Sequence, residues 1–380
     1  MQKTIDNVYD LKFTQVEGNR LVCQEIETRQ LGETKQDHVA QGSYDADGKT
    51  TFWSALFDGH GTDAAIDLIR RTDLNPIMKR TNPYEELQQL IDLDHLSPRI
   101  EQRLKSGATM VYVKATPNRK HIDIEIVNIG DSTAILFLDD EPIYINELHN
   151  YTNGREMVRL MNQRLVDITE PIINKMSGFD VVTPTAIMTR KGTYIRFLSK
   201  GHNYDLAPSQ CLGHNRITGL NPEITNFSVD INQKVRVLLF SDGVDDIMPV
   251  RSPCAGPNIS FMTRAKDTGA ILEEAHKRWS KEWITYKGTN MANYTLESFG
   301  DNGYDDCSCA LLEIKQEPSW MTLPDIIIEN DINEGADEDE EPFIEFEDLI
   351  INTHSDLNNN TNNDLGLPDD IPDDFEAFCK

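Results

Sequence analysis

The sequence predicts an α+β fold in which β-sheets dominate and helices pack outside them. Apolar or alternating runs of strand length recur along the chain as far as Ile314. Between them stand segments whose apolar residues fall at helical spacing. Hydrophobic residues make up 38% of 380, enough to bury a sizeable core in one large domain or two small ones.

The strand runs are Thr51–Phe57, Thr109–Ala115, Ile122–Ile129, Ala134–Leu138, Tyr194–Leu198, Val235–Phe240 and Cys307–Ile314. Short polar turns join Thr109–Ala115 to Ile122–Ile129, and Ile122–Ile129 to Ala134–Leu138. Both pairs read as antiparallel hairpins. Among the helical segments, Asp63–Arg71 sets Ala65, Ile66 and Ile69 on one face. Asn82-Pro83 supplies a cap and first-turn pair for Tyr84–Leu93. Gly154–Leu165 and Thr268–Ile284 are two further amphipathic helices, the second carrying Trp279 and Trp283.

The net charge of −28 is uneven. From Met321 to Lys380 nineteen acidic side chains face one lysine, a balance of −18, which leaves −10 for the rest. The expected organisation is a folded domain over 1–315 and an acidic, Asn-rich tail without packed structure over 316–380. Two islands in the tail, Pro342–Ile351 and Ile371–Phe378, interleave acidic residues with Phe, Leu and Ile. They read equally as docking motifs for a partner or as parts of a solubilising appendage. So acidic a chain is not expected to bind nucleic acid through phosphates, which need clustered Lys and Arg. The cysteines Cys23, Cys211, Cys254, Cys307, Cys309 and Cys379 form no C-x-x-C pair, so neither a zinc motif nor a disulfide framework is indicated. The N-terminal residues lack the apolar stretch of a signal peptide, and no apolar run approaches membrane-spanning length. The expectation is a cytoplasmic or nuclear protein with no membrane partner.

Aspartates recur at strand ends. Phe57-Asp58-Gly59-His60-Gly61 closes one strand, Ile129-Gly130-Asp131-Ser132 another, and Phe240-Ser241-Asp242-Gly243 a third. Asp305-Asp306 precedes the Cys307 strand, and Gln36-Asp37 lies upstream of the Asp58 strand. Taken singly, each is an ordinary turn. Gathered together, five carboxylates repel unless a cation compensates them. Hard oxygen ligands select Mg²⁺ or Mn²⁺ over zinc.

These segments, in this order, resemble the metal-dependent serine/threonine protein phosphatases of type 2C, over roughly Gln24 to Ile314. The matches are Gln36-Asp37, Phe57-Asp58-Gly59-His60-Gly61, Ser106-Gly107-Ala108-Thr109, Asn128-Ile129-Gly130-Asp131-Ser132 and Ser241-Asp242-Gly243-Val244-Asp245-Asp246, with a looser sixth at Asp305-Asp306-Cys307-Ser308. The resemblance implies two stacked β-sheets flanked by helices, a four-layer α-β-β-α sandwich with two Mg²⁺ or Mn²⁺ ions in a cleft at one end. Carried over residue by residue, Asp58 bridges both ions, the Gly59 carbonyl and Asp37 serve one edge, and Asp242 and Asp305 hold the second ion. Asp131 matches a third, weaker metal position. The implied reaction is hydrolysis of phosphoserine and phosphothreonine in protein substrates by a metal-bridging hydroxide. His60 is the implied general acid. His121, His214 and His276 lack such surroundings and are expected at the surface.

The pattern departs from the family in three places. Gly32 and Glu33 stand where an arginine is usual before the Asp37 position, leaving Arg29 or Lys35 to grip the phosphate. Phe197–Asn203 barely preserves the family's Ser-Arg-x-x-Gly-Asp segment. The stretch between Asp242 and Asp305 is long, and reads either as an enlarged flap near the cleft or as a peripheral helix without contact to it. Competing functions are a catalytically weak or dead phosphatase-like binding module, acting through its surface or acidic tail, and hydrolysis of a small phosphorylated metabolite.

Overall fold

Hydrophobic alternation within a few long strands organises the molecule into layers. The computed structural model describes residues 7–8, 12–16, 19–24, 27–31, 36–94, 105–163, 172–180, 187–199, 202–251, 255–287, 294–299 and 305–316. The chain divides into two units, Met1–Ser319 and Trp320–Lys380, and every described residue belongs to the first. The predicted acidic tail and its apolar islands lie outside the described residues.

Among the described residues the strands form three sheets. The first runs β1 (Asn7–Val8), β4 (Glu27–Leu31), β20 (Cys307–Gln316), β17 (Val235–Phe240), β10 (Thr133–Leu138) and β11 (Glu141–Ile145). The hairpin of β2 (Lys12–Val16) and β3 (Asn19–Gln24) joins it through β20. The second runs β15 (Leu212–Gly213), β7 (Ser106–Ala108), β6 (Lys49–Gly61), β8 (Met110–Pro117), β9 (His121–Ile129) and β16 (Glu223–Asp230), with β5 (Asp37–Ala46) also on β6. The third, of which the sequence suggested only the Tyr194–Leu198 strand, runs β14 (His202–Leu206), β13 (Ile187–Ser199), β12 (Ile172–Asp180), β18 (Glu282–Lys287) and β19 (Tyr294–Ser298). Of the Phe197–Asn203 segment, Phe197–Ser199 ends β13 and His202 and Asn203 open β14, with Ser199 paired to His202.

The first two sheets face each other. Phe52 and Leu56 of β6, with Val111 and Val113 of β8, meet Leu136, Val237, Leu239 and Leu312 from the opposite sheet. The alternate β6 residues Trp53, Ala55 and Phe57 point outward and pack on helices α1 (Ala64–Arg71), α2 (Leu74–Met78) and α3 (Pro83–Leu93). On the far face of the first sheet, Phe137, Leu238, Phe240 and Leu311 are covered by residues of α5 (Asp242–Asp245), α6 (Gly256–Arg264) and α7 (Thr268–Trp279). The order is helix, sheet, sheet, helix, the predicted α+β sandwich. β6 is buried on both faces, which is why its sequence is a continuous apolar run. Helix α4 (Gly154–Asn162) sits apart, with Leu160 buried against Ile195, Phe197 and Ile217.

Two local expectations are corrected. β9 and β10 do not form a hairpin; β10 pairs with β11 and β17 in the facing sheet. Gly130, at φ 128, turns the chain from one sheet into the other, and a Cβ there would sit 2.5 Å from Thr109 Cβ. The helix expected over Thr268–Ile284 ends at Trp279, and Trp283 lies in β18. Both indoles are buried in one cluster, so a single apolar surface served a helix and a strand. In its described part the stretch between Asp242 and Asp305 is not detached: Trp279 Nε1 donates to the Gly243 carbonyl at 2.9 Å and braces the turn after β17.

Candidate metal centre

The two facing sheets end together, and the strand ends deliver the carboxylates. Asp37 opens β5 directly opposite Asp58 in the β5–β6 ladder. Beyond that pair, the Gly59 amide donates to the Gln36 carbonyl at 3.0 Å. The Asp58 backbone is clamped by Thr109, whose amide donates to the Asp58 carbonyl at 2.8 Å and whose hydroxyl lies 3.3 Å from the Asp58 amide. The same hydroxyl pairs with Ser132 Oγ at 2.8 Å, which ties Asp58 to the corner that carries Asp131. His149 secures that corner from behind. Its amide donates to the Gly130 carbonyl at 2.8 Å, and its Nδ1 accepts from the Gly130 amide at 3.3 Å.

From the other sheet, Asp242 leaves β17 as the first residue of α5, and Asp305 and Asp306 stand just before β20. Ser241 stitches these two edges together, with its hydroxyl donating to the Asp306 carbonyl at 3.2 Å and accepting from the Ser308 amide at 2.9 Å. The two sheets are joined at this end because Asp306 Oδ2 accepts from the Gln36 amide at 2.8 Å.

The carboxylates act on one another electrostatically. Burial raises Asp58 well above the ordinary carboxylate range, and the charges of Asp242, Asp37, Asp305 and Asp131 add to it. Asp242 is raised by burial and then by Asp305, Asp131 and Asp246, while a hydrogen bond with Asp58 opposes the rise. Burial and the neighbouring Asp306 raise Asp37, against hydrogen bonds from Ser308 and Ser241. Asp131 is pushed up to about 7, by burial first and by Asp305 and Asp245 after a backbone hydrogen bond that lowers it. Asp37, Asp58, Asp131, Asp242 and Asp305 therefore share one electrostatic site. Asp37 Oδ2 is buried without a hydrogen-bond partner, a lone pair available to a cation. An oxygen-only donor set with carboxylates that resist ionisation without a counter-charge fits hard divalent cations such as Mg²⁺ or Mn²⁺.

Sequence reasoning left out three acidic members. Asp306 abuts Asp37, Asp245 bears on Asp131 and Asp246 on Asp242. All three lie within the quoted motifs, but only the pairing of distant strands brings them to the site. Of the two proposed phosphate-gripping residues, Arg29 sits in β4 opposite Cys309, with its side chain outside the described residues, as is all of Lys35.

His60 is half-buried two residues beyond Asp58 on β6. Burial and the neighbouring His214 lower its pKa to about 3, so the ring is neutral at ordinary pH. Its Nδ1 lies 3.0 Å from His214 Nε2, and its Nε2 is buried without a hydrogen-bond partner. The expectation for His214 is thus corrected. His121 is exposed and His276 half-buried, but His214 is only 1% exposed and bonded to the proposed catalytic histidine. No local pattern marks it, because 154 positions separate the two rings.

A family profile described as "Protein phosphatase 2C" matches residues 28–254. No curated protein matches the chain. Similar solved structures include a serine-threonine phosphatase 2C from Toxoplasma gondii, 13% identical, with 83% of this chain and 100% of that one covered and a TM-score of 0.45. An S. agalactiae serine/threonine phosphatase is 14% identical, with 78% and 98% covered and a TM-score of 0.42. A C. elegans sex-determining protein is 15% identical, with 76% of this chain and 64% of that one covered and a TM-score of 0.41. This chain spans just under two thirds of the C. elegans chain.

Proposed function

This chain belongs to the protein phosphatase 2C family, and on that premise we propose that it hydrolyses phosphoserine and phosphothreonine in protein substrates with Mg²⁺ or Mn²⁺. The charge coupling among Asp37, Asp58, Asp131, Asp242 and Asp305 carries the reading. Asp58, with charges of both sheets around it, would be the central carboxylate holding the cations. Gly59, Asp37, Asp242 and Asp305 would complete the ligand set, and Asp131 would serve a weaker further position. When bound, the cations neutralise the phosphomonoester and acidify the attacking water.

The residues of the chain supply position and the proton. Thr109 and Ser132 hold Asp58 and Asp131 at fixed separation, and Ser241 holds the Asp242 and Asp306 edges. If His214 donates its Nε2 proton to His60 Nδ1, the His60 proton sits on Nε2, the atom without a partner. That N–H then serves the leaving serine or threonine oxygen as its charge develops. His60 acts in this scheme as a neutral donor, with His214 fixing its tautomer.

The test is turnover of an artificial phosphomonoester by the full-length protein with Mn²⁺, then with chelator, beside Asp58→Asn. Turnover that needs Mn²⁺ and collapses in Asp58→Asn is expected; wild-type turnover no greater than the mutant's refutes the enzyme. Phosphopeptides compared with small phosphomonoesters at equal concentration separate a protein substrate from a metabolite. The competing reading, a weak or silent binding module acting through its surface or acidic tail, draws on the replacement of the usual arginine by Gly32 and Glu33. Deleting Met321–Lys380 tests the tail, through activity and partner capture together.

A further inference from the structure

Three strand segments meet at one edge of the second sheet. The β6–β7 register sets His60 opposite Gly107, and the β15–β7 register sets Gly213 opposite the same Gly107. Cys211 and His214 flank that Gly213 step, on either side of β15. Nδ1 of His60 and Nε2 of His214 are 3.0 Å apart, their ring centroids 4.8 Å apart and tilted by 34°. One ligand atom from each of His60, Cys211 and His214 lies within 4.8 Å of the others.

The cluster is built into the fold. Cys211 is 0% and His214 1% exposed. Gly107 leaves the space that the His214 ring fills; a Cβ there would lie 2.5 Å from His214 Nε2. His214, Asn215 and Arg216 take positive φ values of 45°, 51° and 62°, a left-handed turn unusual for residues with side chains. The turn is closed by Ile217 donating to the His214 carbonyl at 3.2 Å. Thr218 fixes the other side, accepting from the Cys211 amide at 3.3 Å and donating to the Cys211 carbonyl at 3.2 Å. His60 is the half-buried member of the three.

The donor chemistry differs from that of the neighbouring carboxylates. Two imidazoles and a thiol form a borderline-soft set that suits zinc, with a fourth position left for water. Two nitrogens bound tetrahedrally at about 2.0 Å stand roughly 3.3 Å apart, close to the 3.0 Å between His60 Nδ1 and His214 Nε2. We infer that His60, Cys211 and His214 form a zinc-binding site, and that zinc held there inhibits the phosphatase by engaging His60. Binding moves the proton of the His60–His214 hydrogen bond to the other nitrogen of the ring that carries it, freeing both facing nitrogens for nitrogen–zinc bonds, and forms a sulfur–zinc bond as the thiol proton leaves to solvent. Burial pushes that thiol up to about 12, so the ion itself must displace the proton. The inhibitory half rests on the proposed role of His60; the binding half does not.

The full-length protein, freed of metal and supplied with excess Mg²⁺ to saturate the carboxylates, is titrated with Co²⁺ as a spectroscopic substitute for zinc. A thiolate-to-cobalt charge-transfer band in the wild type, absent from Cys211→Ser, is expected. Equilibrium dialysis should find one zinc per chain retained against Mg²⁺, with affinity lower by about tenfold or more in Cys211→Ser and His214→Gln. A wild-type cobalt spectrum without a thiolate band overturns the site, and so does zinc retained equally by all three proteins. If the protein proves to have no turnover, the spectrum and the dialysis still decide the binding. Where turnover is found, the ratio of Mn²⁺-dependent rates with and without zinc should fall well below one in the wild type and stay near one in Cys211→Ser. Equal ratios overturn the inhibitory half.

Discussion

Replacing Asp131 by asparagine should make the metal-free protein more stable at pH 8 and leave it nearly unchanged near pH 4. Asp131 is 8% exposed, and its pKa is raised from 3.8 to about 7. Between those values the unfolded chain loses the proton while the folded site keeps it, so this group's contribution to stability falls as pH rises. Above pH 7 both states are ionised and the full cost is present. At about 1.4 kcal/mol per pH unit, the cost is on the order of 4 kcal/mol. An asparagine side chain has the same shape without the charge, so Asp131→Asn should gain most of that amount at pH 8. Urea unfolding of both proteins in chelator, at each pH, gives the difference directly, and effects common to both cancel. Saturating Mn²⁺ should reverse the order, because the cation favours the ionised carboxylate and binds only the folded site. Equal stabilities of variant and wild type at pH 8 in chelator, or the same difference at both pH values, would refute the reasoning.

Three further outcomes follow from the geometry around the site. His149 has its pKa lowered from 6.5 to about 4 by burial, so stability should fall by roughly 3 kcal/mol as pH drops from 6.5 towards 4, and His149→Gln should flatten that slope in urea unfolding. Gly130→Ala should destabilise by about 2–4 kcal/mol through its left-handed φ and the collision with Thr109; thermal unfolding measures it, and a neutral result would mean the corner relaxes freely. Trp279→Phe removes the donor to the Gly243 carbonyl, with an expected loss of about 1–2 kcal/mol and weaker Mn²⁺ activation of turnover from a looser Asp242 turn, read from a Mn²⁺ titration.

Much of the sandwich was legible because burial writes its period into the chain. Val235–Phe240 is a strand as read, and Thr109–Ala115 and Ile122–Ile129 form the expected hairpin. The reading failed where one local pattern serves two structures. Ile122–Ile129 and Ala134–Leu138 look like a second hairpin, yet the Gly130 corner sends β10 into the facing sheet. Trp279 and Trp283 share a cluster from a helix and a strand, which periodicity alone reads as one helix. β12, β18 and β19 of the third sheet lacked any alternation the reading recognised.

The sequence by itself determined the kinds of chemistry available: aspartates at strand ends, a histidine two residues beyond one of them, and an acidic segment set apart from the patterned chain. It also fixed their order, and so the family they resemble. Tertiary structure decided which of them meet. Asp37 faces Asp58 through strand register, Asp306 reaches across to the Gln36 amide, and His214 comes to His60 over three antiparallel strands. Local sequence cannot encode such meetings, because they depend on pairing between segments far apart along the chain. The same pairing sets a hard-oxygen cluster and a His–Cys–His cluster within reach of one strand end, at Asp58 and His60 of β6.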